Sequence, residues 1–205
     1  MTTAELLAAF TALFVVIDPI GLTPIFVALT RGMPDRQRRL LGLRATVIAA
    51  VLLLLFALFG EALLGAVGIG MPAFRIAGGV LLFLTALDML FERRRARRED
   101  TAEEDPSDDP SVFPLAIPLI AGPGAIATII LLAGRADGPA HFAAVLGVTA
   151  AVLVIVLLLF LAAGPIERAL GKTGVNVVTR LLGMLLAALS VQFILDGLRD
   201  FGLAG

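Results

Sequence analysis

The 205-residue chain contains no cysteine, no tryptophan and no tyrosine. Without cysteine it has no disulfide, no thiolate zinc site and no cysteine nucleophile. Without tryptophan and tyrosine it lacks the usual aromatic belt, so phenylalanine must anchor any interface with lipid headgroups. Charge is also scarce, because Asp, Glu, Lys and Arg make up only 16% of the residues, with a net charge of −1. We therefore expect no nucleic acid partner.

Apolar residues dominate what is present. They make up 59% of the chain, and the mean hydropathy is +1.01. Several apolar runs are long enough to cross a bilayer, which indicates an integral membrane protein. The first residues lack a basic segment, so we expect no cleaved signal peptide and direct insertion of the first helix.

The apolar runs predict an all-α membrane protein with six transmembrane helices. They cover approximately residues 4–30, 41–60, 72–91, 111–133, 142–164 and 175–195. Residues 92–111 are the only hydrophilic segment, basic first and acidic afterwards, and are predicted to form a solvated cytoplasmic linker. The chain is thus divided into a first unit at 1–91, this linker, and a second unit at 112–205.

Basic residues predict the orientation. The connections after the first, third and fifth spans hold thirteen of the 16 Lys and Arg residues. Under the positive-inside rule these connections face the cytoplasm. Both termini are therefore expected outside it.

The two halves repeat each other. Pro19 and Pro24 match Pro118 and Pro123, while Arg75, Gly78 and Thr85 match Arg180, Gly183 and Ser190. Since each half has three spans, the second must enter the membrane from the opposite face. This predicts two inverted three-helix repeats whose first and fourth spans are broken, an architecture typical of alternating-access transporters.

The broken spans are the candidate substrate site. Prolines and glycine interrupt a membrane helix, and such backbone persists only beside protein or a water-filled cavity. The following half-helix exposes N–H groups suited to a carboxylate, and the preceding one exposes carbonyls suited to an ammonium group. Two opposed breaks could hold both charges of a zwitterion. The candidate substrate-binding residues are Asp18, Pro19, Gly21, Thr23, Pro24, Gly122, Pro123, Gly124, Ser190 and Gln192.

Several side chains keep alternative roles. Asp18 is a candidate to pair with the ligand ammonium, to carry a coupled proton, or to cap the following half-helix. For Arg75 and Arg180 we favour structural roles: interfacial anchoring, contact with lipid phosphate, or an ion pair with the other half. Asp88 is either a coupling charge or a solvated boundary residue. Ser190 and Thr85 either line a cavity or bond to their own helices.

The segments 18–30 and 114–126 resemble the two signature segments of the MarC family of bacterial and archaeal inner-membrane proteins. The first reads Asp18-Pro19-Ile20-Gly21-Leu22-Thr23-Pro24, and the second centres on Gly122-Pro123-Gly124. The resemblance covers essentially the whole chain. It implies a multi-pass protein of the cell membrane that transports small neutral amino acids such as glycine and alanine, coupled to protons or acting in export.

The expected function is a secondary transporter of a small neutral amino acid, with a proton or sodium as the possible coupling ion and membrane lipid as its surroundings. The alternatives are transport of another small metabolite or ion, and a non-transporting membrane protein. We expect no enzyme, cofactor or metal site, because the spans carry no Ser–His, HExxH or paired-carboxylate motif and the chain has no P-loop.

Overall fold

A computed structural model describes residues 1–91, 109–135 and 138–203, with the backbone alone for 166–170 and 172. All secondary structure in these ranges is helical. The predicted linker at 92–111 lies outside the described residues except for its last three. The helices are α1 (Thr3–Ile17), α2 (Pro19–Leu29), α3 (Asp35–Ala66), α4 (Met71–Leu90), α5 (Ser111–Ile120), α6 (Pro123–Ala133), α7 (Pro139–Leu161) and α8 (Ala163–Asp200).

The prediction of an all-α, multi-pass membrane protein is confirmed. Among the described residues, five segments are long and apolar enough to cross a bilayer: Thr3–Leu29, Asp35–Ala66, Met71–Leu90, Pro139–Leu161 and Thr173–Asp200. The fourth span, predicted to be broken, corresponds to the helix pair α5 and α6, which is bent by 57° at its break. Counted as one span, this pair brings the total to six.

Two helices, α3 and α8, extend well beyond the predicted spans. Helix α3 begins at Asp35 rather than near residue 41, because the arginine-rich segment continues the helix, and arginine is a good helix former. The expected loop before the last span is also helical, since α8 starts at Ala163. Its helical path is interrupted only at Gly171, whose φ of 59° lies in the left-handed region open to glycine.

The first span lies at the centre of the fold. Of its most apolar window, 67% is buried, against 28–33% for the other four spans. The surrounding spans expose many large apolar side chains, including Leu55, Phe59 and Leu158. Such side chains suit contact with lipid, whereas the first span is enclosed by protein.

Helices α4 and α8 form the most extensive pairing, and three glycines allow their close approach. A Cβ on Gly79 would lie 2.8 Å from the Ser190 carbonyl oxygen, and one on Gly183 would lie 2.9 Å from Met89 Cβ. A Cβ on Gly197 would lie 3.0 Å from the Pro72 carbonyl oxygen. Small residues let membrane helices gain van der Waals contact along their length. This pairing joins the two halves of the chain.

The start of α5 is fixed to α3. The Asp109 carboxylate accepts hydrogen bonds from the Ser111 hydroxyl and, at 3.0 Å, from the Ser111 backbone N–H. It also pairs with Arg44 at 2.9 Å. These hydrogen bonds from Ser111, with a further contribution from Arg44, lower the pKa of Asp109 below its usual value. Asp109 therefore connects the first half of the chain to the beginning of the bent helix pair.

We predict that Gly79→Ala destabilises the α4–α8 pairing. The new methyl group would meet the Ser190 carbonyl oxygen and Ile194, and overpacking of this kind costs about 1–3 kcal/mol in unfolding free energy. Gly147→Ala is the matched control, because nothing lies within 4 Å of a Cβ at that position in α7. Thermal unfolding in detergent should show a lower midpoint for Gly79→Ala alone. Equal midpoints would contradict the close approach.

Candidate functional site

The first helix break is a single residue. Asp18 adopts a left-handed conformation, with φ 57° and ψ 64°, between the end of α1 and the start of α2. Aspartate is one of the few residues other than glycine that enter this region readily. Its backbone N–H donates to the Phe14 carbonyl at 2.9 Å, which closes α1. Pro19 then occupies the first position of α2, where its missing N–H costs no helical hydrogen bond.

The Asp18 side chain caps α2. Its Oδ1 accepts a hydrogen bond from the Gly21 N–H at 3.0 Å, and the residue is 1% exposed. A Cβ on Gly21 would overlap Asp18 Oδ2, so glycine is required for the carboxylate to take this position. Among the roles foreseen for Asp18, the cap is therefore present in the structure. It leaves the other two open.

Two further predicted residues shape α2. The Thr23 hydroxyl is buried and donates to the Pro19 carbonyl at 3.0 Å. Pro24 lies inside the helix and removes the donor that would reach the Ile20 carbonyl. The first turn of α2 therefore combines a capped N-terminus with a weakened hydrogen-bond ladder.

The second break is built from backbone rather than from a side chain. Pro114 and Pro118 lie within α5, and the residues before them, Phe113 and Ile117, have extended backbone conformations, as expected before proline. The Ala121 N–H donates to the Ala116 carbonyl at 2.9 Å, a π-type bond that ends α5. Gly122 then precedes Pro123, the first residue of α6. A Cβ on Gly122 would lie 2.5 Å from the Pro118 carbonyl oxygen, which explains the glycine.

The two breaks lie against each other. A Cβ on Gly124, in the first turn of α6, would lie 3.0 Å from Cγ1 of Val16, two residues before Asp18. The same position would contact Leu82 of α4 at 3.3 Å. The first turn of α6 thus packs on the last turn of α1. The structure brings together the two segments that the sequence marks as interrupted.

A cavity of about 350 Å³ opens beside the start of α1. Ala8, Ala9 and Ala12 form its α1 side, while Arg135, Gln192 and Asp196 supply polar groups. Arg135 pairs with Asp196 at 2.6 Å, and Gln192 Nε2 donates to Asp196 at 2.8 Å. We name these three residues the Arg135 cluster. Ala12 lies six residues before Asp18, which is about 9 Å along a helix.

The other predicted residues lie on α4 and α8. Ser190 is buried at the α4–α8 interface, where its hydroxyl donates to the Ala187 carbonyl at 2.7 Å. Arg75 is buried and pairs with Asp200 of the other half, whereas its sequence counterpart Arg180 is exposed. Asp88 is half-buried near the end of α4. Gln192 belongs to the Arg135 cluster rather than to either break.

Sequence reasoning missed Arg135 and Asp196, although it selected their neighbour Gln192. They are 61 residues apart in the sequence, and only the tertiary fold brings the turn after α6 close to Asp196 of α8. The Gln192–Asp196 spacing of four residues is the one local signal of this cluster, because such residues share a helix face.

Comparison with known proteins gives one family. The profile of the MarC family integral membrane proteins matches residues 3–201. A membrane protein of Archaeoglobus fulgidus is 40% identical over 195 residues, which cover 94% of this chain and 92% of that protein. The membrane protein YvbG of Bacillus subtilis is 36% identical over 194 residues, 93% and 92% of the two chains. YhcE of Escherichia coli is 32% identical over 196 residues, 93% and 90% of the two chains. No solved structure matches.

We predict that Asp18→Ala destabilises the protein while Asp18→Asn leaves it nearly as stable as the wild type. Asparagine tolerates the left-handed conformation and its side-chain oxygen can accept from Gly21. Alanine loses both advantages, at a cost of about 2 kcal/mol or more in unfolding free energy. Asp18→Gly keeps the conformation and loses only the cap, so its thermal midpoint in detergent should lie between the two. An unchanged midpoint for Asp18→Ala would contradict the capping role.

Proposed function

The chain belongs to the MarC family of integral membrane proteins, and on this premise we propose that it is a secondary active transporter of small neutral amino acids that works by alternating access. The observation that carries the proposal is the contact between the two helix breaks, one of which holds the buried Asp18. An ionisable residue and irregular backbone inside a membrane protein together favour a substrate or ion site.

The chemistry of the breaks suits a zwitterion. The first turns of α2 and α6 present backbone N–H groups and the positive ends of helix dipoles, which favour a carboxylate. The ends of α1 and α5 supply carbonyl oxygens, and the Asp18 carboxylate adds a negative charge for an ammonium group. Gly122 and Gly124 carry no side chain, so the space between the breaks favours small substrates such as glycine and alanine.

The two halves of the chain act as inverted repeats in this proposal. Their matched prolines lie at the two breaks, and their third spans, α4 and α8, pair through glycines. Rocking of one repeat against the other would expose the site to each face in turn. A proton on Asp18 is the simplest coupling ion, because protonation would remove the charge that holds the ammonium group. Sodium at the carbonyl ends is the other candidate.

The cavity at the Arg135 cluster supports a route to the site from one side of the membrane. It extends along α1 toward the first break, and its polar groups carry both signs of charge. The positive-inside rule assigns this face to the outside of the cell. We infer that Arg135 and Asp196 form the outer vestibule, while the breaks form the binding site.

We predict that purified protein in proteoliposomes takes up glycine or alanine in a saturable manner under a proton or sodium gradient, and that Asp18→Asn strongly reduces this uptake. Loss of a charged partner for the ammonium group should reduce transport by about tenfold to a hundredfold. Glu61→Gln is the matched control, since Glu61 is exposed at the far end of α3. Absence of uptake for every small neutral amino acid would reject the proposed substrate class. Uptake that survives Asp18→Asn would remove Asp18 from the mechanism.

We further predict that Arg135→Gln raises the half-saturation concentration for uptake from the outer face while the maximal rate stays close to that of the wild type. Removing a charge from a partly exposed vestibule weakens substrate attraction by about 1 kcal/mol, or about fivefold. Arg199→Gln is the control, because Arg199 is exposed near the same end of α8 but outside the cavity lining. A lower maximal rate with unchanged half-saturation would place Arg135 in the transport step instead.

A further inference from the structure

A second cavity lies on the opposite side of the membrane from the Arg135 cluster, between the beginning of α3 and the end of α7. Its volume is about 340 Å³, and its lining consists of Arg36, Arg39, Leu40, Leu43, Leu157 and Leu161. Three of these leucines expose about half of their surface, from 45% at Leu43 to 56% at Leu40. We name this feature the α3–α7 groove. Its two arginines stand at one end and its leucines form the rest.

Among the described residues, the two arginines differ from Arg38 and Arg44, for which a partner is seen. Arg44 pairs with Asp109 at 2.9 Å, and the Arg38 guanidinium lies 5.5 Å from the centre of the Phe26 ring. In the described part of the chain, Arg36 and Arg39 make no ion pair, although Asp35 lies four residues before Arg39. They are three residues apart and therefore share one face of α3. Both residues are exposed, and both line the groove.

The groove crosses the boundary between water and hydrocarbon. Residues 45–59 of α3 carry no charge, so the polar end of this span lies at the arginines. Leu157 and Leu161 belong to the last turns of the apolar helix α7. The N-terminal turns of α3 also contribute the positive end of a helix dipole. A ligand that fits must therefore carry a negative charge at the headgroup level and an apolar chain below it.

We propose that the α3–α7 groove binds one anionic phospholipid of the leaflet on its side of the membrane. The lipid phosphate lies between Arg36 and Arg39, and one acyl chain lies along Leu40, Leu43 and Leu157. Guanidinium groups bind phosphate oxygens through strong, charge-assisted hydrogen bonds. Basic pockets between membrane helices on the cytoplasmic side are suited to anionic headgroups, and the positive-inside rule predicts that this side is cytoplasmic. The proposal does not depend on what the protein transports.

The bound lipid would stabilise the packing around α2, which ends the first span. Phe160, next to Leu161, stacks on Phe26 of α2 with ring centroids 4.3 Å apart. Gly42, next to Leu43, lies against the same two residues, since its Cβ would be 3.3 Å from the Phe26 ring and 3.5 Å from Phe160 Cβ. The residues of the groove therefore adjoin the junction of α2, α3 and α7. A ligand that binds the folded state raises its stability by mass action, so lipid binding should be visible as a rise in the thermal midpoint.

The test is native mass spectrometry of the purified full chain in detergent, with phosphatidylglycerol or phosphatidylcholine added at equal concentration. We expect one retained phosphatidylglycerol per chain, with an occupancy about tenfold above that of phosphatidylcholine, because two guanidinium groups face a net negative headgroup. Arg36→Gln with Arg39→Gln should reduce retention to the phosphatidylcholine level. Arg31→Gln with Arg199→Gln removes the same charge outside the groove and should leave retention unchanged.

Two further arms separate a phospholipid from other occupants. Leu157→Trp fills the apolar part of the groove and keeps both arginines, so it should also abolish retention while the thermal midpoint without lipid stays unchanged. Glycerol 3-phosphate, a headgroup without chains, should neither bind nor compete. Equal retention of the two lipids, retention that survives the Arg36 and Arg39 substitutions, or displacement by glycerol 3-phosphate would each overturn the proposal. A lipid-independent dimer lost with Leu157→Trp would assign the groove to a second copy of the chain instead.

Discussion

The structure depends on one constraint of the membrane interior, which is that every backbone polar group must find a partner within the protein. The constraint is most severe where a helix stops inside the bilayer. At the first break the Asp18 N–H closes α1, and its carboxylate caps α2 through Gly21. At the second, Ala121 closes α5 through a π-type bond. The first of these satisfied ends lies in the most buried span, where protein excludes lipid from the irregular backbone.

The remaining helices hold the breaks in contact. Close packing of α4 on α8 joins the two halves, and Leu82 of α4 reaches the first turn of α6 beside Val16. Glycine is needed at these contacts for a steric reason, because a methyl group at Gly79, Gly122 or Gly183 would meet backbone or Cβ atoms that cannot move far. The contact between the two breaks would also let the N-termini of α2 and α6, and the carbonyl ends of α1 and α5, face one small ligand.

Sequence reasoning predicted the membrane class, the spans and the interrupted segments, because hydropathy and the positions of proline and glycine are local signals. It started α3 too late, since the arginines outside the bilayer belong to the helix rather than to the loop before it. It could not find the Arg135–Asp196 pair, whose partners are distant in the sequence and meet only in the tertiary fold. It also gave equal status to Arg75 and Arg180, although Arg75 is buried and Arg180 is exposed. Burial is a tertiary property, and a repeat in the sequence does not impose it equally on both halves.

The central claim is that the junction of the two breaks is a substrate site reached alternately from both faces. The chain has no cysteine, so a single thiol introduced by Thr23→Cys reports on this junction alone. The measurement is the rate at which a membrane-impermeant maleimide labels that thiol in sealed vesicles of either orientation. The account predicts labelling from both faces, slowed from both by saturating alanine. Labelling from one face only, or a rate that no small neutral amino acid changes, would contradict it.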